Sequence, residues 1–418
     1  MTDGARGREA NDPLKAGGHP EEAPTPGDTG SGGDAGSDTD ATAPMPEAAG
    51  LVVVVHDGVS FHELAGGGER WADRSAHALA EFAPVRYVTR RAAGQGGGHW
   101  QVRTLTPHGD GPWQPLDQAD VVAGGDPAGW AGVTGVLLHQ PFRGEFGLAF
   151  ATRVPGHIPI LLTDLGDAGW RPQWRPLLAR GARELVLCDI SKTAARISQA
   201  WFPAAPITVV YGGLDARAPL PAAVRPADPP TAVYVGRLLP HKGVHVLLQA
   251  LGLSSPDWRL VCCSSASDPA YRTTLEELAH RLGVTFEVRS GLSDLEVDHL
   301  LATATVAASP SVLVDHTGAR YDNSELLGLA FLEHLARGVP TLASDIPAHR
   351  EIAQAVRAPE LLVPAGDPSA WAARLAAVRQ EPTALRERVR QTAPFLPLFG
   401  WPAYAQGLRA VIRQASAS

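Results

Sequence analysis

The sequence predicts an α/β protein of two domains that opens as a Rossmann-like, parallel-sheet unit, and three observations carry that prediction. Residues 51–55 (LVVVV) form a short continuous apolar run, the pattern of a strand buried on both faces of a parallel sheet. A loop with Gly66, Gly67 and Gly68 follows, then a helical pattern from about Glu69 to Phe82, so the chain opens as strand, glycine loop and helix. About 370 of the 418 residues have foldable composition, too many for one ordinary core and suited to two.

Residues 1–48 are the exception. They are Gly, Pro, Asp, Ala, Ser and Thr with almost no aliphatic side chains, and read as a disordered acidic tail. Ten of the acidic residues lie there against only Arg6, Arg8 and Lys15, so much of the net charge of −8 belongs to the tail. Asp38-Thr39-Asp40 spells D-x-D, but in low-complexity sequence it is read as coincidence, and no metal site is expected. The charge balance gives no sign of nucleic-acid binding. Three cysteines (Cys188, Cys262, Cys263) cannot make a disulfide framework. No apolar run reaches the length of a membrane span and no signal-peptide core is visible, so a cytoplasmic protein is expected and membrane association is not indicated.

In the domain at 49–222, strands are expected at 85–89, 101–106, 120–123, 135–139, 158–162, 184–189 and 207–211, with a helix at 192–201 started by Ser191 as N-cap. Asp164 lies on the loop after one of these strands, at the edge where doubly wound folds bind ligands. A strand-end Asp capping the next turn is the alternative. Asp215 is expected to cap the connection between domains. The proline-rich stretch 216–230 reads as the linker.

The domain at 223–393 opens with a strand running into Gly236-Arg237-Leu238-Leu239-Pro240-His241-Lys242-Gly243. Two fixed cations after a strand suit a leaving group that gains negative charge, the Arg fork holding two phosphate oxygens while Lys acts as a point charge; ordinary loop charges are the plainer alternative. Lys15, Lys192 and Lys242 are the chain's only lysines, against thirty-three arginines, which adds weight to Lys242. Further strands are expected at 258–264, 284–288, 306–309, 341–344 and 361–363, and helices at 271–282, 294–303 and 370–379. An insertion at 312–321 carries Asp315 and His316, expected to lie in a solvated loop or to face an acceptor.

Residues 321–340 (YDNSELLGLAFLEHLARGVP) organise the second half. Leu329, Leu332, Leu335 and Ala336 recur at helical spacing, so a helix is expected from near Gly328, stopped by Gly338 and Pro340. Glu325 then lies on the loop before it and Glu333 in its second turn. Backbone N–H groups at Gly328 and Leu329 would suit a phosphate. An amphipathic helix with one solvated and one N-terminal Glu is the plainer reading.

This E-x7-E pattern with its closing G-x-P resembles the signature of retaining GT-B glycosyltransferases, especially family 4. Residues 236–243 resemble the family's G-R-(x)4-K-G segment, and ELVLCDIS and ITVVYGGLD resemble two of its strand-end segments. Leu327 stands where the family usually has Phe, and Asp164-Leu165-Gly166 where many members carry a donor-touching His; the role then falls to Asp164, moves to a neighbour such as His139, or is absent. The resemblance implies a GT-B fold, two Rossmann-like parallel-sheet domains facing across a cleft, with the acceptor mostly in the first domain, the donor mostly in the second, and a terminal helix within 394–418 crossing back to the first.

It also implies transfer of a sugar, with retention and no obligatory metal or cofactor, from a nucleotide-diphosphate sugar as co-substrate. Arg237 and Lys242 would hold the diphosphate, with Gly236, Gly328 and Leu329 beside it. Glu325 would position the donor sugar and Glu333 the ribose, while Gly66, Gly67 and Gly68 would approach phosphate and acceptor. The expected acceptor is a small molecule of a specialised bacterial pathway, with homodimerisation left open. A nucleotide-sugar epimerase of the same architecture and a non-catalytic sugar-nucleotide-binding partner are the alternatives.

Overall fold

The computed structural model describes residues 50–60, 67–93, 96–116, 130–139, 146–163, 174, 185–221, 228–255 and 257–417. The tail, Gly66 and Asp164 lie outside the described residues.

The first half runs β1 (Leu51–Ser60), α1 (Gly67–Ala80), β2 (Val85–Ala93), β3 (Gly96–Thr106), β4 (Gly109–Asp110), β5 (Gln114–Pro115) and β6 (Val133–His139). It continues with α2 (Phe146–Ala151), β7 (Ile160–Thr163), β8 (Leu185–Asp189), α3 (Lys192–Trp201) and β9 (Ile207–Val209). Their strands form one sheet in the order β4-β3-β2-β1-β6-β7-β8-β9, with β5 paired to β3. From β2 to β9 the pairs are parallel; β3, β4 and β5 add an antiparallel edge that the sequence reading lacked. Its cause is the return of the chain through β3, which pairs antiparallel with β2 from Ala93↔Gly96 to Val85↔Leu105. The glycine run 96–98 opens that strand instead of forming a loop.

The second half runs β10 (Thr231–Val235), a 3₁₀ turn (Pro240–Lys242), α4 (Val244–Ser254), β11 (Arg259–Cys263), α5 (Pro269–Leu282), β12 (Thr285–Arg289), α6 (Asp294–Thr303) and β13 (Val306–Ser309). Then come α7 (Leu329–Ala336), β14 (Thr341–Ser344), α8 (Pro347–Ala355), β15 (Leu362–Val363), α9 (Pro368–Gln380), α10 (Pro382–Arg390) and α11 (Trp401–Ala417). The sheet is fully parallel with order β12-β11-β10-β13-β14-β15. That is the doubly wound order, and the strand order reverses between β10 and β13, the switch point at which such sheets form a crevice at their strand ends. The inner strands are buried throughout: Ala232, Val233, Leu260, Cys262, Val306 and Ala307 expose nothing, so continuous apolar runs were the right signal. Helices α8 and α10 are additions to the sequence reading. Each opens on a proline at its first position (Pro347, Pro382), a residue that suits a helix start as well as a stop.

The terminal helix α11 returns to the first sheet, as expected. Trp401 and Tyr404 meet Trp71 of α1 edge-on at 5.0 and 5.4 Å. Close approach needs glycine: a Cβ on Gly135 of β6 would sit 2.8 Å from Ile412 Cδ1, and one on Gly212 2.8 Å from the Tyr404 ring. Asp215 accepts from Trp401 Nε1 at 2.9 Å, which is how it secures the connection. We retain 49–222, 223–393 and 394–418 as a proposed division of the chain. Among the described residues, no helix is long and apolar enough to cross a membrane.

Candidate functional site

The crevice between β10 and β13 collects the second-domain residues singled out from the sequence. Gly236 follows β10 with φ 151°, a conformation open to glycine, and a Cβ there would lie 2.7 Å from the Tyr234 hydroxyl. That hydroxyl donates to the Arg237 carbonyl at 2.7 Å, holding the turn while leaving the Arg237 side chain exposed. The 3₁₀ turn then brings Lys242 inward, and Gly243 (φ 70°) packs where a Cβ would meet the Pro310 carbonyl oxygen at 2.0 Å. His241 O accepts from Val312 N at 2.8 Å. The loops after β10 and β13 are therefore pinned to each other.

Across that seam Lys242 Nζ donates to Glu325 Oε1 at 2.7 Å, with the Ser324 carbonyl at 3.4 Å, and Ser311 Oγ donates to the same carboxylate oxygen at 2.9 Å. Burial pushes the Glu325 carboxyl up, but Lys242, His349 and the Ser311 hydroxyl outweigh it, so the group sits below its usual range and is ionised. Glu325 lies on the loop and Glu333 in the second turn of α7, as the spacing implies. Gly328 is the helix N-cap with φ 91°, and a Cβ on it would come within 2.6 Å of His349 Cδ2. The first-turn N–H groups that follow have no side-chain cap, and remain available to an anion.

Glu333 has a different environment. It accepts no hydrogen bond among the described residues, and burial raises its pKa against the opposing pull of Arg70, Arg337 and Arg217. Arg217 and Arg337 are themselves tied to Asp294 and Asp298 of α6. Gly338 (φ 65°) closes α7, with its N–H on the Leu335 carbonyl at 3.0 Å, as predicted for the stop signal.

In the first half, Gly67 and Gly68 open the first turn of α1 instead of forming a loop, because the helix starts two residues earlier than its apolar pattern. His139, the neighbour considered for the donor-touching role, is fully buried at the end of β6. Its Nε2 and Ser75 Oγ are 2.7 Å apart, and burial lowers its pKa to about 3, so it is a neutral core histidine. Asp315 is buried as well, correcting the solvated-loop expectation. Its carboxylate accepts from Thr317 N and Oγ1, Ala319 N and Tyr321 OH, closing a hairpin whose Tyr321 ring lies 5.1 Å from that of His241. His316 is exposed.

Three contributors escaped the sequence reading. Ser311 lies two residues past the end of strand β13, a position that could have flagged it. Glu351 of α8 and Tyr211 after β9 carried no signal: Tyr211 OH donates to Glu351 Oε1 at 2.6 Å, between residues 140 apart in sequence.

Comparison with known proteins bears on the fold and on the second half of the chain. Residues 220–394 match the family model of glycosyl transferases group 1. The chain is 33% identical over 218 residues to the GDP-mannose-dependent alpha-(1-6)-phosphatidylinositol monomannoside mannosyltransferase of Mycobacterium tuberculosis, covering 47% of this chain and 54% of that protein. It is 30% identical over 253 residues to the D-inositol 3-phosphate glycosyltransferase of Thermobispora bispora, covering 56% of each. The chain thus spans about half the length of the curated relatives it matches. Among solved structures, Anabaena Alr3699/HepE in complex with UDP and glucose superposes with a TM-score of 0.59 at 15% identity, covering 87% of this chain and all of that one. AviGT4, a glycosyltransferase involved in avilamycin A biosynthesis, gives a TM-score of 0.54 at 16% identity, covering 88% and 98%. The fold is therefore GT-B, and the segment 220–394, which matches the glycosyl transferases group 1 model, holds Arg237, Lys242, Glu325 and Glu333.

Proposed function

We propose that the chain is a retaining glycosyltransferase that moves a sugar from a nucleoside diphosphate sugar to a small-molecule acceptor of a specialised bacterial pathway, without a metal. The observation that carries this reading is the Lys242–Glu325 pair at 2.7 Å, set in the crevice of the doubly wound sheet beside exposed Arg237.

In this reading Arg237 and Lys242 hold the diphosphate with the first-turn N–H groups of α7, and Glu325 accepts from donor-sugar hydroxyls. Glu333 accepts from ribose hydroxyls. The anomeric C–O bond to phosphate breaks with its electron pair leaving on the phosphate oxygen, where the two cations stabilise the growing charge. The acceptor oxygen bonds to the anomeric carbon on the same face, and its proton passes to the departing phosphate. Asp164, the residue that follows β7 in the sequence, is retained as a candidate donor contact from the first domain. Gly66, Gly67 and Gly68 are retained as candidates to approach phosphate and acceptor.

The test is a thermal-shift panel of UDP, GDP, ADP and dTDP, each with and without magnesium. One nucleotide is expected to raise the midpoint without metal, by mass action on the native state, and Arg237→Ala to abolish the shift. UDP and GDP head the panel because those nucleotides are named for the relatives and structures above. No shift from any nucleotide would overturn the donor site. With the matching sugar nucleotide, full turnover by Glu325→Gln would remove the role given to that carboxylate.

A further inference from the structure

The loop that presents Glu325 is held from the first half of the chain by one hydroxyl. Ser191 is the N-cap of α3, where its Oγ accepts from Ala194 N at 2.9 Å. The same Oγ donates to the carbonyl oxygen of Leu326, the residue after Glu325. The hydroxyl is therefore fully used, with its lone pair directed into its own helix and its proton across to the donor loop. Ser191 exposes nothing to solvent, so water cannot replace it without rearrangement.

Glu351 holds the helix that carries Ser191. Its carboxylate reaches from α8 to the start of α3 and accepts from Lys192 N at 2.7 Å, Thr193 N at 3.0 Å and Thr193 Oγ1 at 3.0 Å, and from Tyr211 OH on the other side. A buried carboxylate at a helix N-terminus, given four donors, is a firm anchor. Alongside it Gly213 (φ 99°) passes between Trp71 and Leu329, where a Cβ would meet Trp71 Cζ3 at 2.4 Å and Leu329 Cδ2 at 2.5 Å. Residues 326 and 329 are thus both pressed by the first half of the chain, one by a hydrogen bond and one by packing.

We propose that Ser191, anchored by Glu351, is a positioning residue that sets the place of Glu325 in the donor site, while α7 itself is seated by the packing of Leu329; the proposal rests on the donor role given above to Glu325. Lys242 and Ser311 hold the Glu325 carboxylate from one side, and Ser191 holds the backbone behind it. Without the Ser191 clamp the carboxylate loses register with a donor sugar, while the diphosphate cations Arg237 and Lys242 stay where the β10 turn puts them. The clamp therefore acts on recognition of the sugar and leaves recognition of the bare nucleotide intact.

Capping and clamping can be separated, because glycine serves at an N-cap almost as well as serine but has no hydroxyl to donate. Ser191→Gly is expected to keep a near-normal melting temperature and speed amide exchange across 325–331 by about tenfold or more, the effect of losing one buried hydrogen bond. With UDP-glucose and GDP-mannose as donor probes, kcat/KM of the active one is expected to fall about tenfold, while the Kd of its free nucleotide, UDP or GDP, changes less than about twofold. Ser191→Thr keeps the hydroxyl and restores both, and Glu351→Gln gives the same direction as Ser191→Gly. Unchanged exchange across 325–331 in Ser191→Gly, or an equal loss of nucleotide and sugar-nucleotide binding, would overturn the proposal. A wild-type protein inactive with every donor would sink the transferase reading instead, and the exchange measurement would still decide the clamp.

Discussion

Eight positions separate Glu325 from Glu333, and their surroundings send the two carboxyls in opposite directions. At Glu325 the Lys242 ammonium, His349 and the Ser311 hydroxyl defeat burial; at Glu333 burial defeats three guanidinium groups that are partly spent on Asp294 and Asp298. The consequence is a pH dependence of nucleotide binding. An ionised carboxylate accepts ribose hydroxyls better than a protonated one, and a raised pKa means that Glu333 protonates earlier as pH falls. Binding of UDP or GDP should therefore weaken as pH falls, at a higher pH than that at which an ordinary Glu titrates. Glu333→Gln should weaken binding roughly tenfold at the high-pH end and flatten the residue's share of the profile. Titration calorimetry of both proteins checks this, because the nucleotide's own phosphate titrates equally in each and cancels in the difference.

Helix α7 shows how one backbone angle serves an element. Its N-cap must be left-handed for the first-turn N–H groups to follow Glu325 so closely, and the space beyond Gly328 is filled by His349, which is buried with Nδ1 at 3.0 Å from the Ser344 carbonyl oxygen. Gly328→Ala therefore meets both a strained φ and a collision at 2.6 Å. It should lower unfolding free energy by about 2 kcal/mol or more, and shift the N-terminus of α7 enough to reduce nucleotide affinity. Urea unfolding monitored by circular dichroism, with the thermal shift by UDP and GDP, reads both effects; full stability in Gly328→Ala would contradict the packing described here. Helix period, Gly338 and Pro340 made this element legible in the sequence. His349 as the neighbour that forbids a Cβ was not legible, since it lies on α8, beyond strand β14.

At the scale of the whole molecule, Trp71 is the meeting point. It is 2% exposed, packs edge-on to Trp401 and Tyr404 of α11, and flanks Gly213 opposite Leu329 of the donor helix. Trp71→Ala should cost about 3–5 kcal/mol of stability, the range for truncating a buried aromatic side chain. Because the lost ring also borders α7, the variant should bind nucleotide more weakly at temperatures where it remains folded. Guanidinium unfolding of the full chain followed by fluorescence and far-ultraviolet circular dichroism measures the first, and calorimetry below the midpoint measures the second. A stability loss without any change in nucleotide binding would separate the terminal helix from the donor site.

What the sequence by itself determined is local and periodic. Continuous apolar runs marked the parallel strands, G-R-(x)4-K-G marked the turn after β10, and helical spacing placed Glu325 before α7 and Glu333 within it, because each depends on residues a few positions apart. Tertiary structure alone decided the rest. Nothing in the spacing of Ser191, Glu351 and Leu326 foretells that they meet, since 135 and more residues separate the partners. The burial of Asp315 and of His139 likewise depends on which elements cover them. The strand at 101–106 was expected, but its antiparallel pairing with β2 was not, because the direction in which the chain returns is not written in a strand's own residues. Lys242 and Glu325 were each legible, but their ion pair was not: it exists because β10 and β13, distant in sequence, lie side by side where the strand order of the doubly wound sheet reverses.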